Sequence, residues 1–247
     1  AKAMKVYNVP SAFVVPFMAS IVPAISAARV RGNALEACDV AERSMRMCTL
    51  LCLPMAVGMA VLARPCMAVI YPGSAEQGGV LLTELGIVCY FMTMSLMTNS
   101  ILPANGNERL PLVSSLLGLV TKIVMTYLFV GNPALNIYGA PLGTLCCYIV
   151  MLTTNLIFIA RHMARPMNLW RIFGRAGISA GIMGVAAWAV WNLLHGVTGR
   201  TTIPFLAAVA AGVTVYAVMI VALHAITKED MGLIPKGEKI AKWLHIR

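Results

Sequence analysis

Seven apolar runs divide the chain, at residues 9–28, 47–71, 79–102, 110–130, 137–160, 176–195 and 203–226. Each is 20 to 25 residues long, the length a helix needs to cross the ~30 Å hydrocarbon layer of a bilayer. None alternates apolar and polar residues with period two, and all are at least twice the ~10 residues of a barrel strand. The pattern therefore predicts an all-α integral membrane protein with seven transmembrane helices. Between the first two runs, Ala34, Leu35, Cys38, Ala41 and Met45 recur at helical spacing among Glu36, Asp39, Glu42, Arg43 and Arg46. That spacing predicts a short amphipathic helix lying at the membrane interface ahead of the second span.

Composition agrees with this reading and excludes others. Of 247 residues, 60% are hydrophobic and 11% charged, against about 25% charged in a soluble domain. So few charges cannot coat a water-facing surface, which excludes a soluble enzyme, a nucleic-acid-binding module and a disordered segment. The net charge of +10 finds its account in the positive-inside rule instead. Arg29, Arg31, Arg43 and Arg46 follow the first span, Arg109 the third, and Arg161, Arg165, Arg171 and Arg175 the fifth. Lys228, Lys236, Lys239, Lys242 and Arg247 lie in the tail. Fourteen basic residues thus fall on one side of the membrane, with Lys2, Lys5 and Arg200 on the other. The expected protein is a multi-pass one of the cell (plasma) membrane, its first residue outside and its C-terminus cytoplasmic. No nucleic acid is expected as a partner; the lipid bilayer is. The start Ala1-Lys2-Ala3 carries neither an initiator Met nor a signal peptide, so the sequence reads as the continuation of something longer.

Candidate chemistry sits at the polar and proline positions inside the spans. Pro10, Pro16 and Pro23 fall in the first span, Pro54 and Pro65 in the second, and Pro141 opens the fifth. Each proline removes a donor and frees an acceptor that lipid cannot satisfy. The first span is therefore either a bent helix lining a pathway or a static kink filled by packing. Lys122 lies in the middle of the fourth span, where a charge costs on the order of 3 kcal/mol. It faces a cavity and an anionic substrate, or pairs internally. Glu84 in the third span is a potential partner or reaches the headgroups, and Arg64 near the end of the second either snorkels to the interface or lies on the substrate path. Asn99, with Thr93, Ser95 and Thr98, either bonds across helices or lines a hydrophilic path. Gly177, Ala180, Gly181, Gly184 and Ala187 form a ladder of small residues that predicts close packing of the sixth span on Ala207, Ala208, Ala211 and Gly212 of the seventh.

Seven scattered cysteines show no metal-ligand spacing and read as small buried hydrophobes. His162, His195, His224 and His245 have no second ligand at metal spacing. With no catalytic triad, carboxylate pair or phosphate-binding loop, neither an enzyme nor a metal or cofactor is expected.

The run YNVPSAFVVPFMASIVPAISAA, a basic loop with RGN, the kinked second span, the hairpin ILPANGNERLP and the sequence YGAPLGTLCCYIV occur in this order. The set resembles the C-terminal half of polysaccharide flippases of the multidrug/oligosaccharidyl-lipid/polysaccharide exporter superfamily, nearest the stage V sporulation protein B-like branch. The resemblance implies a MATE-like arrangement. Residues 1–160 would be second-lobe helices, 161–175 a basic cytoplasmic loop, 176–226 a two-helix hairpin and 227–247 a basic tail. It implies a substrate on a polyprenyl diphosphate, moved by alternating access against an N-terminal lobe not contained in this sequence. The lipid tail would run along a groove made by the two extra helices. Lys122, Asn99 and Glu84 would line the central cavity. The lipid II flippase branch carries arginine and acid in its counterpart of the first span, whereas residues 9–28 carry no charge. Two other readings stand beside the flippase: a drug/cation antiporter of the same superfamily, for which Glu84 is the intramembrane acid, and a non-transporting membrane scaffold.

Overall fold

The computed structural model describes residues 21–133, 138–163, 165, 167–198 and 201–223. Among these, six helices are long and apolar enough to cross a membrane, and no strand occurs. Helix α1 is Ile21–Val30, the end of the first expected span; Pro10 and Pro16 lie outside the described residues. Helices α2 (Ala34–Val61), α3 (Ala63–Ile70) and α4 (Ala75–Ala104) follow, a 3-10 turn at Pro72–Ser74 joining the last two. Helices α5 (Leu110–Val130), α6 (Gly139–His162), α7 (Arg175–Thr198) and α8 (Thr202–Ala222) complete the bundle. A π-helical turn, Trp170–Gly174, leads straight into α7, so the stretch expected as a 161–175 loop is helical at both ends.

Two expectations change at α2. The interfacial helix expected at 34–46 is the first half of a single 28-residue helix. Ala37, Cys38, Ala41 and Met45 are buried in the protein core and do not rest on lipid. No glycine or proline stands between Ala34 and Leu53 to stop propagation, and the apolar face finds α1 and α4 first. At its other end the expected span 47–71 breaks. Proline disfavours α geometry at the residue before it and clashes with the carbonyl four residues back. Accordingly α2 ends at Val61, four residues before Pro65, and α3 restarts with Pro65 in its first turn.

Two of the loops are helix caps written in the sequence. Gly32 and Gly106 have φ of +77° and +80°, the left-handed region open to glycine. The amide of Gly32 donates to the carbonyl of Arg29 and that of Asn33 to Ala28. Gly106 and Asn107 donate in the same register to Pro103 and Leu102, so both α1 and α4 close in Schellman motifs. Asn33 then caps α2, its Oδ1 accepting from the amide of Glu36 at 3.1 Å. The Glu36 carboxylate accepts from Arg31 at 2.8 Å.

The main core lies at the end of the bundle that carries these loops. Ile21, Ile25, Ala41, Met45, Cys48, Met94, Met97, Ile101 and Ile159 are buried there, with Ile172 of the π turn. The basic segments gather at the same end. Arg29 lies beside Gly106, and Arg165 bridges Asp39 at 3.1 Å and Glu42 at 3.2 Å on the first turns of α2. Helices α5 and α8 are peripheral: among α5 residues only Ser114 and Gly118 are buried.

The glycine ladder of α7 divides between partners. Gly184 faces Val57 and Val61 of α2, whereas a side chain at Gly177 or Gly181 would meet open space. The contact with α8 is made by Met183 and Ala187 against Gly212, with Ala187 and Ala208 in one buried cluster.

Because a Cβ at Gly32 meets nothing within 4 Å, Gly32→Ala isolates the backbone cost of the left-handed cap. A loss of about 1 kcal/mol in SDS-driven unfolding from mixed micelles is expected.

Candidate functional site

Three local arrangements in the bundle bear on function. The first is an apolar groove of about 450 Å³ between α2 and the α7–α8 hairpin, lined by Pro54, Gly58, Met59, Met183, Phe205 and Tyr216 among others. Its rim residues Leu51, Val209 and Val213 are exposed, so the groove opens at the surface of the bundle. Pro54 and Gly58 shape it from the α2 side: a Cβ at Gly58 would meet nothing within 4 Å, and that missing side chain is groove space. A wall so largely apolar offers little to a sugar or phosphate and suits a hydrocarbon chain.

The second arrangement is a polar cluster joining three helices. Asn155 of α6 is fully buried and donates from Nδ2 to Asn99 Oδ1 at 2.8 Å and to Thr98 Oγ1 at 3.0 Å, both on α4. Ser114 of α5 reaches the same Asn99 oxygen at 3.5 Å. The Asn155 Oδ1 has no partner among the described residues. Asn99 thus acts as an interhelical bond acceptor. Asn155, which sequence reasoning passed over, is its donor; the signal available was the same, a lone amide in an apolar run.

The third is the α5–α6 seam. Gly143 allows the backbones to approach so closely that a Cβ there would lie 2.9 Å from the Thr126 amide nitrogen. Gly118 packs on Cys147 in the same way. Lys122, one turn from each of Gly118 and Thr126, stands beside this seam with its side chain exposed. Ser114, Gly118, Lys122 and Thr126 recur every fourth residue, and the Thr126 hydroxyl is buried without a partner among the described residues.

The remaining sequence candidates stay apart. Glu84 is half-buried on α4, with Oε2 unpartnered among the described residues, and no ion pair there joins it to Lys122. Arg64 is exposed at the start of α3, its stem against Gly79. Pro23 is exposed on α1. Among the described residues no group of His, Cys, Asp or Glu is placed to hold a metal.

Among the described residues, six helices long and apolar enough to span a bilayer, with polar groups turned toward one another, define a multi-pass helical membrane protein. The chain belongs to the lipid II flippase MurJ family, whose model matches residues 1–236; members of that family are flippases, not enzymes. It is also similar to the uncharacterized membrane protein YabM of Bacillus subtilis (strain 168), 25% identical over 244 residues. That alignment covers 96% of this chain and 44% of the relative, so the chain spans less than half the relative's length.

If the Asn155 amide holds α4 to α6, its removal should act on stability. Asn155→Leu is expected to cost about 1 kcal/mol, the scale of an interhelical membrane hydrogen bond, in the same micelle unfolding assay.

Proposed function

We propose that the chain is the C-terminal part of a flippase that moves a lipid-linked sugar, on a polyprenyl diphosphate, across the cytoplasmic membrane. The observation that carries this reading is family membership over residues 1–236, in a bundle that also holds a groove suited to a hydrocarbon tail. On this reading the tail lies along Pro54 and Gly58 while the headgroup travels in a polar cavity. That cavity is closed by an N-terminal lobe outside this sequence, and Lys122 meets the diphosphate there. An ammonium in low dielectric, screened little by water, is the right partner for an anion that must leave bulk solvent. The end carrying Arg29, Arg109 and Arg165 faces the cytoplasm. Residues 1–160 serve as second-lobe helices, 161–175 as the basic connection, helical at both ends, 176–226 as the accessory hairpin and 227–247 as a basic tail.

The uncharged first span, residues 9–28, supports placing the chain nearer the stage V sporulation protein B-like branch, with its substrate among polysaccharide or peptidoglycan precursors. A second reading, a drug/cation antiporter, is favoured by one feature: the half-buried carboxylate of Glu84 with its unpartnered oxygen.

Co-expression with the N-terminal lobe of a full-length relative, followed by measured translocation of lipid-linked sugar, tests the proposal. Proton-coupled drug efflux without sugar-lipid translocation would reject it. Lys122→Met should lower translocation about tenfold, the equivalent of one charge-assisted bond, with membrane insertion intact; unchanged translocation removes Lys122 from the pathway. Gly58→Leu, which fills groove space, should lower translocation with α2 still helical by circular dichroism.

A further inference from the structure

The hairpin is joined to α2 by a hydrogen bond with a specific cause. Pro54 lies inside α2 and has no amide hydrogen, so the carbonyl four residues earlier, that of Leu50, loses its intrahelical partner. The Tyr216 hydroxyl of α8 donates to that carbonyl at 2.6 Å. On either side of it α8 touches the body through apolar packing: Phe205 and Ala208 around Leu62, and Ile220 against Met47 and Leu50. The groove lies between these two contacts, about 12 Å of α8 from Ala208 to Tyr216 at 1.5 Å per residue. Tyr216 lines it with its ring while its hydroxyl is committed to the wall.

We propose that Tyr216 is a positioning residue of the groove: by completing the hydrogen bonding that Pro54 leaves open in α2, it sets the separation of α2 and α8 and hence the groove's width. An unpaired carbonyl in lipid has no water to turn to, so the bond is retained for as long as α8 lies against α2, and breaking it frees α8 to move outward. The kink that makes room for a chain and the latch that limits that room thus arise from the same proline. The latch stands on geometry alone; its consequence for a bound lipid tail rests on the flippase reading.

The test uses this chain co-expressed with the N-terminal lobe of a full-length relative and reconstituted in bilayers, with spin labels on Leu35→Cys of α2 and Val218→Cys of α8, both exposed positions. Cys66 and Cys146 are replaced by Ala, and the five buried native thiols stay in place. Tyr216→Phe should raise the population of the longer distance roughly three- to tenfold, the range of one interhelical membrane hydrogen bond. Pro54→Ala restores an amide to the Leu50 carbonyl, so in that background Tyr216→Phe should change the distances no further. A general packing role for the ring, which Phe retains, predicts neither result. An unchanged distribution in Tyr216→Phe, or an equal change in both backgrounds, overturns the proposal. If Tyr216→Phe alone fails to insert, the proposal requires Pro54→Ala/Tyr216→Phe to insert, and its failure to do so also overturns it. Sugar-lipid translocation by the same proteins separates the two levels: a wild type without it rejects the flippase reading and leaves the distance result standing.

Discussion

Lipid offers no hydrogen bonds, and this constraint decides where the bundle can bend and what must touch at each bend. A helix broken in water is repaired by solvent; a helix broken in a bilayer is repaired by its neighbours. At the Pro54 kink the donor is Tyr216. At the end of α2 the Thr83 hydroxyl of α4 lies 3.0 Å from the Gly79 carbonyl of its own helix and 3.2 Å from the Ala60 carbonyl of α2, shared between the two. The Pro54 bend therefore ties an adjacent helix, and the position of α8 against α2 follows in part from where that proline falls.

The same constraint separates the two ends of the protein. At the basic end the chain leaves the hydrocarbon, and its loops can close with backbone caps and ion pairs in the headgroup region. Arg165 with Asp39 and Glu42 ties the entrance of α7 to the start of α2. Partly exposed pairs of this kind contribute little stability each, so their role is to bring segments into register above a core already formed by Ile21, Met45, Met94 and Ile159. Away from that end the packing divides into small clusters, and the groove is the space left between two of the helices.

Much of the architecture was legible because it depends on local sequence. Apolar run length set the spans, and the Arg31-Gly32-Asn33 and Asn105-Gly106-Asn107 triplets, read only as family motifs, are helix caps. What was not legible depends on partners distant in the chain. Nothing within residues 34–71 says that the amphipathic stretch will find α1 and α4 before it finds lipid. The small residues of α7 carry no mark of which face meets α2 and which meets α8. Asn155 pairs with residues 56 and 57 positions away, and Tyr216 with one 166 positions away. Sequence reasoning recognised Pro54 as a kink without naming the acceptor it frees; the Leu50 carbonyl was there to be counted, and counting it would have asked for a donor.

Lys122 extends the same accounting to charge. Helix α5 exposes Leu116, Leu119, Val120, Ile123 and Val124 around its length, as a lipid-facing helix should. Yet its exposed ammonium stands at mid-span, on the edge that holds Gly118 against Cys147. A lysine turned to hydrocarbon at that depth would cost about 3 kcal/mol on insertion scales, and Glu84 does not neutralise it. The exposed surface of α5 therefore cannot be uniform in what covers it. Most of it suits acyl chains, while the exposed Lys122 beside the α6 seam calls for a polar partner. On the flippase reading proposed above, such a helix stands at the boundary between bilayer and cavity.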